Sequence, residues 1–498
     1  MTNRTTTVPG VRLRDVLPSA EFSGLGDPTI SGCSADVRQC QPGDVLVVLP
    51  GSPIDSDSLR SLANSGVAAI ITEAPLDNLP LPVIQVRDAR DAYGRICQAL
   101  AGEPSKQLKV IGVAGSSGKT ATSHLIASVL CEGGFASGIL GSLGYFDGYD
   151  WGEAPWTTPT PPVLASWLRS MSANGCTHAV MEISTHALQQ SRIAGVDFDV
   201  ACLTHVRRPR VTTENAAAGR SLRGRLLEQL LPEGFAVLNV DDDACLDYLE
   251  RLDGPVLTVG IDRAAELMAT PIESLICEQT YLLSAGSMNL PVRTRLVGRR
   301  NIYNGLIAAA VGLAYGMELP DIVRGLEQIE SIAGRLERIE CGQGFGVFVD
   351  GASSGEALTD ALTTLRSVTS GRVICVCSAD PRQDRGQRSR LGAAAERGAD
   401  LAVITSHLPR VADRQPVVRD VVRGFTQPES AIVMLDRHSA IGWAIEQAEP
   451  GDCVLIAGRG HETYQVVDGE RHEFDDREVA REWLRRDTTV SFPFRRAA

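Results

Sequence analysis

A three-domain α/β protein built on mostly parallel sheets is the fold class predicted by three features of this 498-residue chain. A strand, a glycine turn and a helix follow one another at Leu108–Glu132. Short β-branched runs then alternate with helical stretches through the middle of the chain. The last third repeats that alternation with strands of its own. Length alone suggests about three domains, and the pattern places them at 1–107, 108–333 and 334–498.

Residues 1–107 read as a small α/β domain. Val45–Leu49 follows the turn Pro42-Gly43-Asp44, Val67–Thr72 and Val83–Val86 are further strands, and a helix is expected near Ser58–Ser65. The polar break AGEPSK (101–106) closes the domain. The second domain opens on LKVIGVAGSSGKTATSHLIASVLCE. Val110, Ile111 and Val113 make a strand, Gly115-Ser116-Ser117-Gly118 a turn, and Leu125, Ile126, Val129 and Leu130 one face of a helix stopped by Gly133-Gly134. Glycines let backbone N–H groups approach phosphate oxygens, and the helix N-terminus adds its positive end. In such a cradle Lys119 reaches the β- and γ-phosphates and Thr120 offers its hydroxyl to Mg²⁺. The first glycine of the general P-loop pattern is Val113, so the match is to the shorter form Gly115-x-x-Gly118-Lys119-Thr120. The expected ligand is a nucleoside triphosphate.

Downstream, Thr177–Ile183 reads as a buried strand carrying Glu182, and Ala236–Val240 as a strand delivering a charged turn, Asp241-Asp242-Asp243. Asn301–Tyr315 reads as an apolar helix with Asn301 and Asn304 one turn apart. From Gly334 on, strands are expected at Val347–Asp350, Arg372–Cys377, Leu401–Thr405, Ala431–Leu435 and Cys453–Ala457, then a hairpin over Val466–Phe474. Ligands of open α/β sheets bind beyond the carboxyl ends of strands. Chemistry is therefore expected in a cleft between the second and third domains, with the first holding a substrate.

Composition narrows the partners. A 43% apolar and 22% charged chain has ample core, and a net charge of −13 argues against nucleic acid or an anionic membrane as main partner. The start MTNRTTTVPG has no apolar leader, and no stretch approaches a membrane span. Twelve cysteines without CxxC pairs read as free thiols in a reducing cytoplasm, with Cys375 and Cys377 facing one way on one strand. A cytoplasmic monomer is the expectation.

Four stretches, GVAGSSGKT (112–120), MEISTHALQQSR (181–192), LVGRRNIYNGLIA (296–308) and AGRGHETYQ (457–465), together with SADVRQCQPGD (34–44) and FDDREVAREWL (474–484), resemble the Mur ligases, the MurE type most closely. The resemblance spans nearly the whole chain in the family's motif order. It implies a small N-terminal domain binding a UDP-substrate, a central P-loop ATPase domain and a C-terminal Rossmann-like domain binding an amino acid. It also implies ATP-dependent amide synthesis through an acyl phosphate, on UDP-N-acetylmuramoyl-L-alanyl-D-glutamate, in peptidoglycan precursor synthesis.

Carried over, Gly118, Lys119 and Thr120 hold the triphosphate and Mg²⁺, with Glu182 as metal-binding acid. Asn301 and Asn304 match adenine contacts, and Arg335 and Asp350 stand beside the nucleotide. Thr157, Thr158, Ser184, Gln190 and Arg192 match the loops that grip the UDP-substrate. Pro409 and Arg410 match half of an Asp-Asn-Pro-Arg motif used for meso-diaminopimelate, and Gly458 and Glu462 further contacts to that amino acid. Other members of the superfamily, the folylpolyglutamate and cyanophycin synthetases, fit the first domain and the FDDREVA tail less well.

The chain departs from the family after the strand Val200–Thr204. The Asp-His-Leu-Asp block falls on Pro209-Arg210-Val211-Thr212, and the carbamylated lysine on Arg223. Arginine has no neutral amine with which to capture CO₂. Asp-Tyr-Ala-His-Thr-Pro has become Asp350-Gly351-Ala352-Ser353-Ser354-Gly355, and Asp-Ser-Arg has become Asp36-Val37-Arg38. Two readings are open. Arg210 or Arg223 serves catalysis by neutralising phosphoryl charge as an arginine finger does, or the chain is a decayed paralogue that binds nucleotide in regulation or scaffolding.

Overall fold

The structure, a computed structural model, describes residues 10–23, 27–52, 62, 65–76, 81–206, 224–249, 252, 254–406, 411–467 and 470–487. The chain forms two compact units, Met1–Met268 with Asn304–Gly325, and Ala269–Tyr303 with Leu326–Ala498.

The first unit begins with a five-stranded sheet of β1 (Glu21–Ser23), β2 (Gly32–Ser34), β3 (Asp44–Val47), β4 (Ala69–Thr72) and β5 (Val83–Gln85), in the order β1-β5-β4-β3-β2. Only β1 runs antiparallel to its neighbour. Val45, Val47, Ala69, Ile71 and Ile84 pack against Ala89, Ala92 and Ile96 of α1 (Ala89–Leu100). The expected strands are thus present with their ends displaced by a residue or two, whereas the helix expected near Ser58–Ser65 falls largely outside the described residues.

The larger sheet of this unit is organised around β6 (Lys109–Ala114), which the turn 115–118 joins to α2 (Lys119–Glu132). There follow β7 (Ser137–Gly141), the hairpin β8 (Gly144–Phe146) and β9 (Trp151–Gly152), α3 (Pro161–Ala173), β10 (His178–Ile183), α4 (Thr185–Gln189), β11 (Phe198–Leu203), β12 (Leu230–Asn239), α5 (Asp243–Leu249), β13 (Val256–Gly260) and β14 (Leu267–Ser274). Their order is β9-β8-β7-β10-β6-β11-β12-β13-β14, parallel from β7 to β14, with β14 belonging to this unit only at Leu267 and Met268. β6 sits between β10 and β11 and is buried from Val110 onward, which explains its near-continuous apolar reading. α2 stops at Gly133-Gly134, Gly134 taking the left-handed conformation that closes a helix, as its sequence predicts.

In the second unit, β15 (Gln279–Ala285) and β16 (Met288–Thr294) pair antiparallel across the tight turn at Gly286. The sequence reading expected strand–helix alternation here. It missed this hairpin because buried Tyr281, Leu283 and Val292 alternate with half-buried or exposed positions, leaving no apolar run longer than Tyr281-Leu282-Leu283. α6 (Arg299–Ala314) begins in this unit, and from Asn304 on it belongs to the first, as does most of α7 (Leu319–Glu327).

The remaining elements of the second unit are β17 (Glu337–Arg338), β18 (Gly346–Asp350), α8 (Gly355–Val368), β19 (Val373–Cys377), α9 (Arg385–Gly398), β20 (Leu401–Ile404), α10 (Val411–Val422), β21 (Ile432–Val433), α11 (Arg437–Glu446), β22 (Cys453–Ala457), the hairpin β23 (Tyr464–Val467) and β24 (Glu470–Glu473), and α12 (Asp476–Asp487). The sheet order is β17-β18-β22-β19-β20-β21, parallel except for β17. Each face has its own core. Cys375, Cys377 and Leu455 pack with Leu358, Leu362 and Leu391 on one side, and Ile374, Val376 and Ile456 with Ile441, Ile445 and Leu484 on the other. No helix among the described residues is long and apolar enough to cross a membrane.

Candidate active site

The phosphate loop of the first unit is held from both sides by groups that leave no room for a side chain. A Cβ on Gly115 would stand 2.0 Å from Thr204 Oγ1, and one on Gly118, at φ +89°, 2.6 Å from Asn304 Oδ1. Thr204 Oγ1 donates to the Ser117 carbonyl at 2.6 Å, and the Ser116 N–H donates to the His205 carbonyl at 2.7 Å. The turn between β6 and α2 is therefore clamped by the end of β11, which fixes the start of α2, the end of a helix that suits an anion. Lys119 Nζ donates to the Gly115 carbonyl at 3.0 Å, folding the ammonium back over the loop. Asn304 accepts from Thr122 Oγ1 at 3.1 Å, whereas Asn301 Nδ2 donates to the Val297 carbonyl at 2.9 Å.

Beside the loop, Thr120 Oγ1 donates to Glu182 Oε2 at 3.0 Å. Ser142 adds two more bonds to the same carboxylate, its N–H to Oε1 at 2.9 Å and its hydroxyl to Oε2 at 3.1 Å. Hydroxyl and carboxylate oxygens gathered around one buried acid suit Mg²⁺, a hard cation that prefers oxygen ligands. The sites left for a second metal differ. Arg210 and Arg223 lie outside the described residues, and a guanidinium has no lone pair to offer a cation. Among the described residues no cluster of three His, Cys, Asp or Glu could hold a metal ion.

From Glu182 a continuous chain of contacts runs away from the phosphate loop. The Ser142 hydroxyl lies 3.2 Å from Thr157 Oγ1. Thr158 Oγ1 donates to the Glu182 carbonyl at 2.7 Å and accepts the Ser184 N–H at 3.0 Å. Ser184 caps α4 through the Ala187 N–H. Arg192, almost fully buried, donates to the Thr158 carbonyl at 2.9 Å and lies over the Trp156 ring, 5.0 Å from its centroid. Burial pulls its guanidinium below the usual arginine range. Arg192 and Gln190 then line a cleft of about 390 Å³ with Ser34, Asp36, Arg90 and Tyr93 of the first sheet region. The Asp36 carboxylate is held below its usual range by hydrogen bonds from Arg38, which stands where the family motif also has arginine.

Two residues near the loop were not singled out as functional in the sequence. His205 Nδ1 lies 2.8 Å from Asp242, which also accepts the N–H groups of Val206 and Ala244. Within the charged turn read from the sequence, Asp242 is thus a buried acceptor. Asp241 is likewise tied down, taking the N–H groups of Ile261, Asp262 and Arg263.

In the second unit the ends of β18 and β22 converge. The Gly458 N–H donates to the Asp350 carbonyl at 2.9 Å, and the Asp350 carboxylate accepts the Leu336 and Ala352 N–H groups, each at 2.8 Å. Burial raises the Asp350 carboxyl above its usual range, opposed by the charge of Arg335. A Cβ on Gly458, at φ +119°, would meet the Ser378 carbonyl at 2.8 Å. Glu462 is raised by burial against the pull of Arg459, whose guanidinium is 3.6 Å away. Arg335, Asp350, Gly458 and Glu462 therefore share one end of this sheet, while Pro409 and Arg410 lie outside the described residues.

Beneath that end lies an ion pair the sequence did not reveal. Arg437 binds Asp476 through two bonds of 2.7 and 2.6 Å, and also Ser378 Oγ and the Ala457 carbonyl. Asp476 belongs to the FDDREVA stretch, but its partner lies 39 residues earlier, with no local pattern to mark it.

The sequence matches the Mur ligase middle domain over residues 113–312 and the Mur ligase, glutamate ligase domain over residues 334–460. It is 36% identical over 466 residues to the UDP-N-acetylmuramoyl-L-alanyl-D-glutamate–2,6-diaminopimelate ligase of Geobacillus thermodenitrificans, covering 92% of this chain and 95% of that protein. A relative of the same name from Halalkalibacterium halodurans is 33% identical, covering 95% of this chain and 98% of its own. A solved structure of a ligase of that name aligns with a TM-score of 0.69 at 25% identity, over 97% of this chain and 100% of the other.

Proposed function

The chain belongs to the Mur ligase family, and we propose that it joins meso-diaminopimelate to UDP-N-acetylmuramoyl-L-alanyl-D-glutamate in an ATP-driven step of peptidoglycan precursor synthesis. The observation that carries this reading is the line of contacts from Lys119, Thr120 and Glu182 through Ser142, Thr157 and Thr158 to Arg192 and its cleft. It supports a triphosphate at one end of this line and a long nucleotide substrate along the rest.

In this reading 1–107 binds the UDP-substrate, 108–333 binds ATP and 334–498 receives the amino acid. The protein works as a monomer in the cytoplasm. A carboxylate oxygen of the dipeptide attacks the γ-phosphorus of ATP, the bond to the bridging oxygen breaks, and ADP leaves. The amine of diaminopimelate then attacks the acyl carbon, losing a proton, and phosphate departs with the carboxylate oxygen.

Lys119 and the loop N–H groups hold the β- and γ-phosphates, and Asn301 and Asn304 lie near the adenine. Thr120 and Glu182 would hold Mg²⁺, which would supply positive charge to the phosphates. Thr157, Thr158, Ser184, Gln190 and Arg192 grip the UDP-substrate, with Arg192 positioned for the diphosphate. Arg335 and Asp350 flank the nucleotide, while Pro409, Arg410, Gly458 and Glu462 receive the amino acid. Arg210 and Arg223 bring fixed positive charge where the family has a histidine and a carbamate.

The test is phosphate release from ATP by the purified protein, with the UDP-dipeptide present and meso-diaminopimelate added or left out. The expected result is release that needs both substrates, with the tripeptide product seen by mass. ATP binding with no release and no product would replace this reading by the nucleotide-binding paralogue.

A further inference from the structure

One large apolar ring in the first unit is left half open to water although its backbone is fixed. Trp156 is 51% exposed, while its carbonyl accepts the hydroxyl of buried Tyr145. Tyr145 is itself wedged against Trp167, with ring centroids 5.7 Å apart. The loop is thus anchored by a neighbouring aromatic, and the indole is not used to fill the core. Leaving so large an apolar surface in water forgoes burial energy that this position could otherwise gain.

What surrounds the ring gives it a place along the site. On one side the next residue, Thr157, meets Ser142, which bonds the Glu182 carboxylate beside the phosphate loop. On the other, the Arg192 guanidinium lies over the indole and lines the cleft next to Asp36, Arg90 and Tyr93. A UDP-muramoyl-dipeptide has a matching order: a nucleoside diphosphate at one end, the reacting carboxylate at the other and a pyranose ring between them. With the carboxylate at Glu182 and the diphosphate at Arg192, the sugar falls at Trp156.

We propose that Trp156 is the sugar platform of this site, its indole packing against the C–H face of the muramoyl ring while Arg192 spans from the same ring to the diphosphate. The inference rests on the function proposed above. An aromatic face suits a pyranose because the apolar C–H groups lose water against it while the hydroxyls keep theirs at the rim. A platform here distinguishes the glycosylated nucleotide from UDP alone, since UDP ends before reaching it.

Calorimetry on Trp156→Ala, Trp156→Leu and Trp156→Phe, with UDP and with UDP-N-acetylmuramoyl-L-alanyl-D-glutamate as separate ligands, tests this. ADP binding serves as the check that each variant is folded. The alanine and leucine variants are expected to weaken the sugar nucleotide about tenfold and leave UDP unchanged, while phenylalanine restores most of the loss. In turnover the same variants raise KM for the UDP-substrate more than they lower kcat. Equal losses for UDP and the sugar nucleotide, or no loss for either, overturn the platform. Should alanine fail the ADP check, leucine against phenylalanine decides, since they compare a non-planar with a planar side chain. Wild-type protein that binds ADP but neither uridine ligand overturns the function proposed above, and the platform with it.

Discussion

Three donors converge on the Glu182 carboxylate, and its place at the end of β10 beside Thr120 makes it the residue whose loss is most informative. Glu182→Gln keeps the shape but turns one acceptor oxygen into a donor facing the Thr120 and Ser142 hydroxyls. We expect kcat to fall by about 100-fold or more with the melting temperature little changed, and steady-state kinetics beside a thermal melt would check both. His178 makes a separate prediction, about stability. Packed edge-on to Phe135 and Tyr315, it is lowered by desolvation from 6.5 to about 4. Above pH 6.5 the ring is neutral in both folded and unfolded chains and contributes no pH dependence. As pH falls below 6.5 the unfolded chain takes up a proton that the folded one refuses, so stability is lost progressively down to about pH 4. His178→Phe should remove this limb, on the order of 2–3 kcal/mol, from denaturant melts run across that range. An unchanged slope would contradict the assignment.

Elements set these side chains by close approach. A Cβ on Gly141, in β7, would stand 2.2 Å from Glu182 Oε1 on the neighbouring β10. Gly141→Ala should therefore displace the carboxylate without straining the backbone, lowering kcat by about tenfold or more while the circular dichroism spectrum stays that of the wild type. In the second unit, Arg437 at the start of α11 neutralises Asp476 at the start of α12, with both side chains buried. Arg437→Met leaves an uncompensated buried carboxylate, which should cost about 3–5 kcal/mol in urea denaturation. This pair marks where sequence reading ran out. The FDDREVA stretch was visible, but what it binds was not, because an ion pair between distant elements leaves no spacing to read. The parallel strands were legible because burial on both faces makes them continuous apolar runs. The β15–β16 hairpin was not, since one-sided burial breaks such runs. Ser142 and Trp156 were missed for a similar reason, one being a small residue after a strand and the other an aromatic that reads as core until its exposure is known.

At the scale of the whole molecule, the first unit holds the phosphate loop, its acid and the cleft lined by Arg192 and Asp36, and the second holds the strand ends around Asp350 and Glu462. The loop was legible because Gly-x-x-Gly-Lys-Thr follows a strand and opens a helix, and the structure adds what clamps it, Thr204 and Asn304. The arginines at 210 and 223 bear on the enzyme as a whole. If fixed positive charge serves the reaction, the double change Arg210→His and Arg223→Lys lowers turnover, whereas a decayed site would gain it. The most direct measurement of the central claim follows one oxygen atom. The reacting carboxylate of the UDP-dipeptide is labelled with heavy oxygen, the protein is supplied with ATP and meso-diaminopimelate, and the released phosphate is weighed by mass spectrometry. A ligase working through an acyl phosphate delivers one labelled oxygen to each phosphate, in step with tripeptide formed. Phosphate carrying no label, or no phosphate beyond the ATP-only control, would contradict it.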